Sequence, residues 1–122
     1  MTSDKAATAT FTASYDGTWN GTTSQGKEFS LTVTNNGIAS VKWGITCAFV
    51  DISSTTEFTP PSQITGNTFS VGGIMVGIWD GITVRMHTVT INGTFGSPTS
   101  AAGNVGISGS VCNASATWNA TK

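Results

Sequence analysis

The chain has 122 residues, a formal net charge of −1, only 9% Asp, Glu, Lys and Arg, and a single His. That balance excludes the basic footprint of a nucleic-acid binder and leaves little material for acid–base catalysis. Thr (22), Gly (15), Ser (14) and Asn (8) dominate, against one Leu, Leu31. Helical bundles need Leu, Ala, Glu and Lys, whereas stiff β-branched side chains prefer a pleated surface. No apolar run approaches the roughly 18 residues of a membrane span. The expectation is one all-β domain covering residues 1–122.

Strand and turn signals alternate along the chain. Residues 9–15 alternate and stop at Asp16-Gly17. Phe29, Leu31 and Val33 share one parity, with Glu28, Ser30 and Thr32 on the other, before Asn35-Asn36-Gly37 turns the chain. Val41, Trp43, Ile45, Cys47 and Phe49 then share a parity. Thr59-Pro60-Pro61-Ser62 reads as a loop, because Pro lacks the ladder N–H. Phe69 and Val71 open another strand, and Asp80-Gly81 between apolar runs predicts a hairpin. Val105, Ile107 and Val111 form a glycine-spaced strand, and residues 114–120 a last one carrying Trp118. Eight or nine antiparallel strands in two sheets, a jelly-roll-like β-sandwich, are predicted.

Cys47 and Cys112 sit in apolar strands, too few in ligands for zinc. A strand-to-strand disulfide is the preferred reading, with two buried free thiols as the alternative. A bridge would place the protein outside the reducing cytosol, secreted or extracellular. Residues 1–3 carry no basic n-region, which suggests a mature module cut from a larger precursor.

Gly21-Thr22-Thr23-Ser24-Gln25-Gly26-Lys27 has phosphate-loop spacing, but Glu28 follows where a hydroxyl should bind magnesium, and a strand follows instead of a helix. A hairpin loop is expected there. The acids offer no facing pair for glycoside hydrolysis, and nothing resembles a nucleophile elbow. The chain therefore reads as no enzyme. No cofactor is expected; a structural calcium on Asp and carbonyl ligands stays open, without EF-hand spacing.

The four tryptophans carry the functional signal. Trp118 shares parity with Ala114, Ala116 and Ala120, small neighbours that make room for a buried indole. Trp79 abuts the Asp80-Gly81 turn, where burial is hardest, so exposure is expected. Trp43 has core parity, but a bulge near its strand's start would turn it outward; Trp19 is balanced between core and surface. A flat ring with a polar edge suits the CH face of a pyranose. Asp80, Arg85, His87, Lys42 and Asn20 are the candidate polar partners around Trp79, Trp43 and Trp19.

Two passages carry a resemblance. Gly17-Thr18-Trp19-Asn20-Gly21-Thr22 through Phe29-Ser30-Leu31-Thr32-Val33 is one, and Ile91-Asn92-Gly93-Thr94-Phe95 through Thr117-Trp118-Asn119-Ala120 is the other. Together with the composition they resemble carbohydrate-binding module family 81. The resemblance implies a jelly-roll-like sandwich that binds β-glucans, such as cellulose or cello-oligosaccharides. The expected function is non-catalytic β-glucan binding by a monomeric module joined to a glycoside hydrolase, with no nucleic-acid or membrane partner. The alternative is a structural or adhesive β-sandwich of a secreted or cell-surface protein.

Overall fold

The computed structural model describes residues 15–47 and 50–122, so the predicted first strand lies outside the described residues except for Tyr15. Among the described residues eight strands follow one another: β1 (Gly17–Thr23), β2 (Glu28–Thr34), β3 (Gly37–Cys47), β4 (Val50–Gln63), β5 (Thr68–Trp79), β6 (Val84–Ser97), β7 (Ser100–Ser108) and β8 (Ala114–Thr121). They form a single antiparallel sheet in the order β4-β3-β2-β1-β8-β7-β6-β5. The all-β, antiparallel expectation holds, and the strands join in one continuous sheet. Two four-stranded meanders are joined through β1 and β8, and the sheet curls into a nearly closed barrel. Alternation settles which residues face inward, and a curled sheet satisfies it as well as two packed sheets.

The barrel has two mouths. Turns at 35–36, 64–67 and 98–99 lie at the lower mouth; the 24–27 turn, the 80–83 turn and the 109–113 loop lie at the upper. Strands β4 and β5 are the sheet's two edges, and the short 64–67 connection holds them together below, helped by the Thr65–Thr68 bridge. Pro60 and Pro61 belong to β4, not to a loop. They fall where its register against β3 shifts between Ile38 and Ser40. An edge strand at a bulge tolerates their missing N–H groups.

Aromatic rings fill the interior. Phe29 stacks on Trp118 at 4.2 Å, Trp19 meets Phe95 edge-on at 5.0 Å, and Tyr15 stacks on Phe95 at 4.3 Å. Each such pair adds about 0.5–1.5 kcal/mol beyond its area burial. Trp118 is buried beside Ala116 and Ala120, as its small neighbours predict, and its Nε1 donates to the Asn92 carbonyl at 3.1 Å. Gly93 gives the indole its space, since a Cβ there would lie 2.4 Å from the Trp118 ring. Cys47 and Cys112 are disulfide-bonded, with Cα atoms 5.6 Å apart, tying the end of β3 to the segment before β8.

Candidate functional site

The predicted site residues divide into three groups. Trp79, Asp80 and Arg85 come together at the upper mouth. Strand β5 alternates inward Ile74 and Ile78 with outward Met75 and Trp79, so the indole projects from the outer face at 63% exposure. Asp80 then builds the turn. Its Oδ1 accepts the N–H groups of Ile82 and Thr83, both at 2.8 Å, and its Oδ2 accepts from Arg85 Nε at 2.7 Å. The Arg85 guanidinium, followed by the Thr83 and Ile82 amides, pulls the Asp80 carboxyl from an ordinary 3.8 down to about 2. The tip that presents Trp79 is thus pinned by one ionised carboxylate.

Trp19, Trp43 and His87 form the second group, and their assignment to a surface site is corrected. Trp19 and Trp43 have no exposed surface. Each indole N–H is satisfied inside the protein, which is what permits burial. Trp19 Nε1 donates to the Tyr15 carbonyl at 2.8 Å, and Trp43 Nε1 to Thr56 Oγ1 at 3.1 Å. The bulge that would turn Trp43 outward sits upstream, between Ile38 and Ser40, so alternation from Val41 to Cys47 is undisturbed. His87 is 1% exposed. Its Nε2 accepts from the amides of Val111 and Cys112, at 3.0 and 3.1 Å, so its proton resides on Nδ1, which donates to the Arg85 carbonyl at 2.9 Å. His87 is a structural clasp on the 109–113 loop.

Lys42 and Asn20 make the third group. Both are exposed, but they stand in one cross-strand row with Ser30 on the outer face of β1–β3, with Lys42 paired to Glu28 at 3.0 Å. They do not join the hairpin tip.

Two features escaped the sequence reading. Ile82, Val84, Met86 and Met75 are exposed at 83%, 56%, 56% and 53%, and with Trp79 they form an apolar patch on the β5–β6 hairpin. Residue parity carried the signal: Val89, Ile91 and Phe95 point inward, which sends His87 inward and Val84 and Met86 outward. The second feature is a cleft of about 430 Å3 between the two edge strands, near the upper mouth. Residues 50–53 of β4 form one wall, and 77–79 of β5 the other.

The β4 wall is tied through Asp51 to β3 and to Lys27 of the 24–27 turn. Gln25 exchanges two 2.8 Å hydrogen bonds with the Thr46 backbone, through Nε2 to the carbonyl and from the amide to Oε1. Asp51 accepts from Thr46 Oγ1 and pairs with Lys27 Nζ at 2.9 Å, and these two partners, in that order, lower its carboxyl. Among the described residues, no three His, Cys, Asp or Glu side chains gather as a metal site would need. No helix there is long and apolar enough to cross a membrane. No protein-family model, curated protein or solved structure matches the chain.

Proposed function

We propose that the chain is a non-catalytic module that binds a neutral β-glucan, such as cellulose or a related β-1,4 or β-1,3 glucan, on Trp79. The carrying observation is the exposed indole at a pinned hairpin tip, forming one lip of an open cleft. A sugar's CH face needs a flat apolar ring that does not swing away, and the Asp80–Arg85 pair supplies that rigidity without a net local charge. Serine, threonine and asparagine over the outer faces of β6–β8 suit a wet, uncharged polysaccharide. In this reading the module works outside the cell as a monomer and holds an attached catalytic domain on its substrate.

Stacking of one ring adds about 1 kcal/mol beyond area burial. Trp79→Ala should therefore weaken binding about tenfold or more in calorimetry or a pull-down panel of cellulose, mixed-linkage glucan, xyloglucan and xylan. Unchanged binding by a folded variant removes the proposal.

The apolar patch favours a second reading, an adhesive domain with a protein partner. Contiguous exposed apolar side chains mark protein contacts as readily as ligand sites. A Met75→Gln, Met86→Gln double variant separates the two, since both side chains are exposed on the patch and neither lines the cleft: glycan binding survives it under the first reading, and protein adhesion is lost under the second.

A further inference from the structure

We infer that the cleft between β4 and β5 is a second sugar subsite, so that the protein takes an oligosaccharide of at least two neutral β-linked units. This rests on the reading of Trp79 as a glycan platform. The cleft's volume, about 430 Å3, falls within the roughly 300–1,000 Å3 of ordinary ligand sites. Its walls differ in chemistry. On β5, Trp79 stands beside Gly77, which has no side chain of its own, and the Val84 side chain lies within 2.6 Å of where a Cβ would be. On β4, Asp51 and Ser53 are exposed and Ile52 is partly buried against the core.

Asp51 gives the cleft its polar anchor. Thr46 Oγ1 and Lys27 Nζ both act on Oδ1, which leaves Oδ2 of a fixed, ionised carboxylate as a hydroxyl acceptor. The side chain is 68% exposed, so a ligand reaches it without opening the fold. Hydrogen bonds from hydroxyls to a carboxylate are roughly twice as strong as neutral ones. A pyranose stacked on Trp79 continues through its glycosidic bond into the cleft, where the next ring meets Asp51 and Ser53.

The experiment titrates glucose, cellobiose and cellotetraose into the wild type, Trp79→Ala, Asp51→Ala and Ser53→Phe by calorimetry, with near-ultraviolet circular dichroism as the check of fold. Wild-type affinity should rise about tenfold or more from glucose to cellobiose. Asp51→Ala should lose most of that rise while binding glucose as the wild type does. Ser53→Phe fills the cleft and leaves the Asp51 anchorage intact, and it should show the same loss. If Trp79→Ala loses binding but the two β4 variants retain the full rise, the subsite is overturned and the Trp79 platform stands. If Trp79→Ala binds all three sugars normally, the platform itself fails and the subsite with it.

Discussion

His87→Ala tests the reassignment of this residue from ligand contact to loop clasp. The imidazole accepts two backbone amides, from Val111 and Cys112, and Cys112 is 1% exposed. Removing the acceptor strands the Cys112 N–H without access to water, at about 1–3 kcal/mol, and part of the same cost applies at half-buried Val111. Gly109 packs directly against the ring, so truncation also leaves a void and adds to the loss. The sum is about 3–5 kcal/mol, a large share of the roughly 5–15 kcal/mol that holds a typical domain together. Urea unfolding followed by circular dichroism measures it. Amide exchange locates it, because the 111 and 112 amides should lose protection beyond the global change while those of Ile91 and Val105 should not. His87→Phe refills the volume but restores no acceptor, and should remain about 2 kcal/mol below wild type. A cost under about 1 kcal/mol for His87→Ala, or full recovery by Phe, would refute the clasp.

Acrylamide should quench one of the four tryptophans efficiently, and Trp79→Phe should remove that component, since Trp19, Trp43 and Trp118 are at most 1% exposed. Reduction of Cys47–Cys112 in the folded protein should cost about 4 kcal/mol in the chain-entropy model, read as a fall in urea midpoint. Gly103→Ala should cost about 3 kcal/mol or prevent folding, because its Cβ would come within 1.9 Å of the Asn92 carbonyl oxygen, a backbone atom with nowhere to move. For Asp80, the folded carboxyl lies at about 2, below its ordinary 3.8. Its support of the hairpin tip is therefore complete above about pH 4 and is lost as pH falls through about 2. Trp79 emission should hold steady from neutral pH down to about 4 and shift below, whereas Asp80→Asn should show the shifted emission throughout.

Much of this was legible because strand parity is a local property. Phe29-Leu31-Val33, the small residues around Trp118 and the turn position of Trp79 each announce inside or outside within a few residues. Burial of Trp43 was not legible, because it depends on a hydroxyl thirteen positions away, at Thr56, satisfying the indole N–H. The prolines at 60 and 61 misled for a related reason. Whether Pro breaks a strand depends on whether that strand is an edge, and edges are defined only once the sheet is assembled. The cleft was hidden for the same reason: Asp51 and Trp79 lie in different meanders, and only closure of the barrel sets them opposite one another. His87 could have been placed correctly, since it continues the inward series of Val89 and Ile91.

The strand order also prescribes a folding route. Within each meander every strand pairs with its immediate successor, so hairpins zip with little loop-closure entropy. Among the strand ladders of the described residues, only β1–β8, with Asn20 against Thr121 and Thr23 against Trp118, pairs distant parts of the chain. Two half-barrels that each expose an apolar inner face must find one another at that ladder. Variants at Asn20 or Thr121 should thus slow folding, while variants at the β5–β6 tip mainly hasten unfolding.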